Sequence, residues 1–246
     1  MKPVFFGLIL VLTLSCKQQS KTQMTAQEIV DKSIEVSGGL LHKTHGSSFK
    51  FRGRKYNAKM VDGQKVLERI TYLDSVTIKD IKTKSDLKRY FNDSLVSLPD
   101  TLAFKYANSV NSVHYFARLP YGLNDKAVNK ELLGTESIKG VPYFKLKVTF
   151  DQEGGGKDFD DTYIYWFNTE TFKVDYLAYD YHTDGGGQRF REAYNERYVG
   201  GIRFVDYNNY KPKTKGTPLL EIGKMFEEGG LELLSKIELT DIEVTP

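Results

Sequence analysis

The chain has 246 residues, 35 Lys and Arg against 32 Asp and Glu, a net charge of +3 and a single cysteine. One cysteine excludes an internal disulfide framework, and interspersed charges without a basic block exclude an electrostatic nucleic-acid binder. After the first fifteen residues, no apolar run reaches the length of a membrane span.

Met1-Lys2-Pro3 is a short basic start, and Val4 to Leu14 is an unbroken apolar or small run. Ser15-Cys16 closes it, and the polar Lys17-Gln18-Gln19-Ser20-Lys21 follows. This is the layout of a secretory signal, too short to stand as a spanning helix. It resembles the signals cut before a lipidated cysteine, with Thr13 where such signals usually carry Leu and Leu12 one place earlier. The resemblance implies a signal peptide over 1–15 and Cys16 as the lipidation site. Residues 16–24 would be the lipidated cysteine and tether, and 25–246 one domain. The membrane partner would then be reached through acyl chains. Lys17 is not the Asp that retains lipoproteins at the inner membrane. No acidic residue follows that would direct surface export. The expected location is therefore the outer membrane, facing the periplasm.

Thr25-Ala26-Gln27-Glu28 forms a capping box that opens a helix, with Ile29, Val30, Ile34 and Val36 as apolar positions and Gly38-Gly39 as its stop. Strands follow around Phe49–Arg52, Tyr56–Val61, Lys65–Leu73, Val76–Ile81 and Leu87–Phe91, with Asp62-Gly63 as a hairpin turn. Ser97-Leu98-Pro99-Asp100 reads as a second capping box. It starts a central helix through residue 117, whose stripe is Leu102, Ala103, Tyr106, Val110, Val113 and Ala117. Asp125 is expected to cap a short helix that ends at Gly134. Strand pattern then returns: Pro142 to Phe150, Tyr163–Phe167, Phe172–Tyr181, Arg189–Val199 and Ile202–Tyr210, with turns at Lys139-Gly140, 168–171, 184–187 and Gly200-Gly201. Residues 219–234 are expected to be partly helical, and Lys236–Val244 to be the last strand. An antiparallel sheet interrupted by a helix is an α+β, mostly antiparallel β domain.

This order of helix, strands, central helix and strands behind a signal peptide resembles the lipoprotein-carrier, or Lol-type, fold. The segments Leu119–Asp125, Gly154–Thr162, Tyr165–Asn168 and Arg189–Asn195 look like an uncharacterised family of bacterial lipoproteins. The carrier resemblance implies a curved, incomplete β-barrel with the N-terminal and central helices packed in its concave face. It also implies an apolar or amphipathic ligand, a lipid or lipoprotein, while the resemblance to the uncharacterised family brings no known catalytic residues.

Two triple-glycine loops, Gly154–Gly156 and Gly185–Gly187, each read Gly-Gly-Gly-x-x-Phe-x-acid. Pairing through the turns places Phe159, Asp180 and Arg191 abreast on one face, and Asp160, Tyr179 and Glu192 on the other. Three readings compete: tight turns with a structural Asp–Arg pair, a rim for an anionic ligand built with Arg189 and Arg191, and a calcium-type site from Asp151, Asp158, Asp160 and Asp161. An enzymatic rim of Asp160, Tyr179, Glu192 and Arg191 is the rival to plain binding. His42, His45, His114 and His182 lack zinc spacing, with His42 and His45 expected in a loop, so neither a metal nor another cofactor is expected. Gly-x-Ser-x-Gly is absent. Tyr163-Ile164-Tyr165-Trp166-Phe167 is apolar on both faces. Trp166 and Ile164 are candidates to line a ligand cavity, the alternative being an ordinary core strand.

Overall fold

The computed structural model describes residues 24–84, 86–155, 159–182 and 185–246. The signal peptide, Cys16 and its tether lie outside the described residues. Thr25 caps α1 (Ala26–Val36) as its sequence requires: the Glu28 amide donates to Thr25 Oγ1 at 3.2 Å, and the Thr25 amide donates to Glu28 Oε2 at 2.8 Å. Gly38 follows at φ +124°, where a Cβ would sit 3.2 Å from the Gly201 carbonyl oxygen. The glycine thus allows α1 to end directly against the Gly200-Gly201 turn. A helical turn, α2 (Leu41–Thr44), replaces the loop expected around the first two histidines, and it buries His42.

The next six strands are β1 (Gly46–Phe51), β2 (Arg54–Val61), β3 (Gln64–Leu73), β4 (Val76–Lys82), β5 (Leu87–Phe91) and β6 (Ser94–Val96). The central helix α3 (Asp100–Ala117) follows, then a 3₁₀ turn at Tyr121–Asn124. The remaining strands are β7 (Val128–Ile138), β8 (Val141–Phe150), β9 (Thr162–Asn168), β10 (Val174–Tyr181), β11 (Gly187–Val199), β12 (Ile202–Pro212), β13 (Leu231–Ile237) and β14 (Thr240–Thr245). A 3₁₀ turn (Leu219–Glu221) and α4 (Ile222–Glu227) precede β13.

Two antiparallel seven-stranded sheets result, ordered β14-β1-β2-β3-β4-β5-β6 and β13-β12-β11-β10-β9-β8-β7. Neither closes on itself. One core cluster joins them: Phe49, Phe51 and Tyr56 of the first sheet meet Leu146, Tyr165, Phe167 and Tyr207 of the second. Ile29 and Val30 of α1 and Val113 and Phe116 of α3 fill the space between. Each fully buried aliphatic or aromatic side chain there contributes about 1.5–3 kcal/mol. The architecture is a mostly antiparallel, open barrel with α1 and α3 on its concave side. A second cluster lies on the outer face of the second sheet, where Ile164, Trp166 and Phe190 pack under Leu219 and Ile222.

Beneath α3 the first sheet holds a buried charge triad. Arg69, Asp80 and Arg89 stand directly opposite one another on β3, β4 and β5. Arg69 donates to Asp80 Oδ2 at 3.0 and 2.7 Å, and Arg89 donates to Oδ1 at 2.7 Å and Oδ2 at 3.0 Å. Helix α3 completes the triad: Ser109 Oγ accepts from Arg69 at 2.7 Å, and the Tyr106 ring lies 3.4 Å from the Arg89 guanidinium.

Several expectations need correction. Helix α3 begins at Asp100, with Pro99 as its N-cap and no side-chain cap, because the proline ring offers no hydrogen-bond acceptor. Leu102 belongs to the exposed first turn rather than the buried stripe. No helix runs from Asp125 to Gly134: Asp125 closes the 3₁₀ turn, and from Val128 the segment is β7, whose burial alternates with period two; Gly134 lies at a β-bulge with φ +114°. The last strand is two strands on different sheets. β13 pairs with β12 and β14 with β1, across a corner where the Leu239 amide donates to Asp206 Oδ1.

Candidate ligand-binding face

The hairpin registers decide which side chains share the concave face. β9 and β10 pair with Asp180 opposite Thr162, and β10 and β11 pair with Asp180 opposite Gln188. The expected Asp180–Arg191 pair is therefore wrong: Arg191 faces Leu177 on β10 and Asn209 on β12. The cause lies in the turns and a bulge. The 168–173 loop is longer than the expected turn, a β-bulge between Val174 and Tyr176 shifts the register once more, and Gly187 already belongs to β11. The net slip of each strand pair is odd, which exchanges faces.

Arg191, Arg189 and Tyr179 accordingly lie on the concave side. Arg191 Nη2 donates to Tyr179 Oη at 2.9 Å. Its guanidinium sits 5.0 Å from the Phe116 ring, 5.3 Å from Tyr179 and 6.0 Å from Tyr207. An arginine over aromatic faces gains about 0.5–2 kcal/mol, more as water is excluded. Among the described residues, no carboxylate pairs with it, and its buried Nε has no partner. Directly across the strand pair, Asn209 is 7% exposed; its Nδ2 donates to Ser235 Oγ at 3.1 Å, and its Oδ1 has no partner. A donor and an acceptor thus stand unsatisfied on paired residues, a costly arrangement unless something polar fills it.

A tyrosine row continues from this point. Tyr179 stacks on Tyr163 at 5.1 Å, and Tyr163 stacks on Tyr165 at 6.1 Å. Tyr165 and Tyr115 of α3 share a hydrogen bond of 2.9 Å between hydroxyls. Burial pushes both phenols, and Tyr207, above their ordinary range, so they stay neutral. Arg189 lies 5.0 Å from the Tyr181 ring and donates to the Gln188 carbonyl at 2.7 Å.

The other candidates lie elsewhere. Ile164 and Trp166 are fully buried on the outer face, where Trp166 Nε1 donates to Glu136 Oε2 at 2.9 Å. Glu192 is on that face too, accepting from Lys139, Asn208 and Tyr210. Asp180 shares it, with one buried oxygen unpartnered. The Asp160, Tyr179, Glu192 and Arg191 rim is therefore split between faces. Asp160 and buried Asp161 approach His182 instead, with Nδ1 at 3.6 and 3.5 Å from their carboxylates. One donor atom from each of the three lies within 4.8 Å of the others. Asp158 lies outside the described residues, and Asp151 accepts from Asn129 at 2.7 Å.

Sequence reading missed Asn209, Tyr207 and Phe116. The first two sit on alternate positions of a recognised strand, so only the register could have placed them beside Arg191. A cleft of about 320 Å³ opens separately between α1 and the 3₁₀ turn, lined by Ile34, Leu40, Lys43 and Tyr121. No described helix is long and apolar enough to cross a membrane.

No curated protein matches the chain. Among solved structures it is similar to a DUF1329 family protein from Desulfovibrio piger, at 11% identity and a TM-score of 0.52, over 90% of this chain and 93% of that one. It is also similar to a LolA superfamily protein from Nitrosomonas europaea, at 14% identity and a TM-score of 0.49, over 90% and 94%. The first likeness is one of fold. A family model, DUF6503, covers residues 2–239. The chain belongs to DUF6503, a family of unknown function.

Proposed function

We propose that this chain is a lipid-anchored, non-catalytic protein of the cell envelope that binds an amphipathic ligand on its concave face. The observation that carries the reading is Arg191. It is a cation in an aromatic cage, without a carboxylate among the described residues, beside an unsatisfied amide oxygen. An anionic or polar headgroup would satisfy both, and the row of Tyr179, Tyr163 and Tyr165 would flank the apolar part. Tyr115 and Phe116 of α3 cover this face, so binding requires α3 to shift. Residues 25–246 would act as one unit, tethered to the outer membrane on its periplasmic side through Cys16.

Calorimetry with an anionic single-chain amphiphile tests the headgroup role. Arg191→Ala should weaken binding about tenfold or more, since a hydrogen bond to a charged group is worth roughly 1.5–3 kcal/mol. Arg191→Lys should not restore it, because lysine lacks the planar fork that stacks on the rings. Equal affinity in all three proteins would remove Arg191 from the site. The anchor has its own test: Cys16→Ala should move the protein from the membrane fraction to the soluble periplasm. Retention in the membrane would contradict lipidation.

A further inference from the structure

The first sheet carries cations that form no ion pair among the described residues. Lys82 stands directly opposite Leu67, and Lys65 lies two residues before Leu67. Strand alternation therefore places both lysines on the face of Leu67, Arg69 and Asp80, beneath α3. Asp80 is the one buried acid of that face among the described residues, and Arg69 and Arg89 occupy both of its oxygens. Arg118, the C-cap of α3, follows His114, whose Nε2 lies 3.1 Å from the Glu68 carbonyl of β3, so it ends the helix over the same sheet. It is 7% exposed, donates to the His42 carbonyl at 2.7 Å and lies 5.1 Å from the Tyr121 ring.

Among the described residues, no carboxylate forms an ion pair with Lys65, Lys82 or Arg118. Asp125 is close enough to act on Lys65 and Arg118, yet it is exposed and pairs with neither. Among the described residues, Lys82 donates to the Thr83 carbonyl at 3.2 Å and to no carboxylate. The two buried imidazoles near Arg118, His42 and His114, each hydrogen-bond through Nε2 to a carbonyl oxygen. Each leaves a buried Nδ1 without a partner. Desolvation of the Lys65 ammonium and, second, the Arg118 charge lower it to about 8, although the residue as a whole is exposed. Like charges placed together on one face repel one another, and an anion among them relieves that repulsion.

We propose that Lys65, Lys82 and Arg118 form an anion site at the α3 C-terminal end of the first sheet, which takes the phosphate or carboxylate group of a ligand. It is separate from Arg191, which belongs to the second sheet, and does not depend on the concave-face reading.

The test is titration calorimetry on the mature chain with two probes, inorganic phosphate and oleate below its micellar concentration. The comparison is with Lys65→Gln/Lys82→Gln, both at solvent-accessible positions, with thermal melts to verify that the double variant is folded. Arg191→Ala runs alongside. The expected result is binding of at least one probe by the wild type, weakened about tenfold or more in the double variant and retained in Arg191→Ala. Phosphate binding would identify a free oxyanion as sufficient. Oleate binding without phosphate binding would assign the anion to an amphiphile. No binding of either probe by the wild type, or the same affinity in the folded double variant, would overturn the site. An affinity lost in Arg191→Ala but kept in the double variant would also overturn it, and would assign the probe to the concave face.

Discussion

Asp80→Ala should be among the most destabilising single substitutions in this protein, costing about 3–5 kcal/mol. Asp80 is 1% exposed, and the Arg69 and Arg89 side chains that clasp it are also buried. Removing the carboxylate leaves two guanidinium groups side by side in a low-dielectric space, with only Ser109 and the Tyr106 ring for company. The loss is mainly the penalty of those orphaned charges rather than the net worth of the triad. Replacing all three members with apolar residues of similar size should therefore recover much of the stability. For a chain of this length, the single change should lower Tm by about 10 °C. A melt within a degree or two of wild type would mean that the three side chains are solvated and that α3 does not cover the sheet.

The second large effect is acid lability that begins near neutrality. Burial holds His114 at about 3 and His42 at about 4, against an ordinary 6.5. In the native state both rings stay neutral as pH falls below 6.5, while in the unfolded chain both take up protons. The unfolded state then binds more protons, so stability falls with falling pH. The loss is absent above 6.5 and grows down to the folded values, reaching on the order of 3 kcal/mol for each ring by pH 4. Glu68 and Glu196 are lowered in the native state, so their contributions are lost only below the ordinary carboxylate range, whereas Asp175 is raised and opposes them. Urea titrations at pH 7.5, 6 and 5 isolate the histidine window, and His114→Gln should roughly halve it, leaving the His42 part. A wild-type stability that stays level from pH 7.5 to 5 would mean that both imidazoles reach water.

Much of this fold was legible in the sequence because local signals and tertiary needs agreed. The Thr25 box, the Asp62-Gly63, Lys139-Gly140 and Gly200-Gly201 turns and the strands between them fall where residue types demand. The failures share a cause, which is that one residue type serves two geometries. Gly134 read as a helix stop is a glycine at positive φ within a bulge, and the alternation of β7 around it was the better guide. Lys236–Val244 has one continuous strand pattern, yet the chain turns a corner between β13 and β14 and changes sheet; Asp206 holds the corner from β12, remote in sequence.

Site prediction suffered more because it depended on register. The aromatic and charged residues of β9 to β11 were recognised, but two loop lengths and a β-bulge fixed their partners. An odd slip moved Asp180 and Glu192 to one face and left Arg191 and Tyr179 on the other. Residues that complete the cage, Phe116 and Tyr207, come from α3 and β12, and no local pattern links them to Arg191. The buried triad was equally hidden. Arg69, Asp80 and Arg89 each look like surface charges until three strands are set in register.

If the concave face holds an amphipathic molecule through Arg191, native mass spectrometry will detect it on the Cys16→Ala form collected from the periplasm and purified without detergent. A fraction of the molecules should carry a lipid-sized adduct that is lost or much reduced in Cys16→Ala/Arg191→Ala. A clean apo mass for the parent, or an adduct equally abundant in both, would contradict the account.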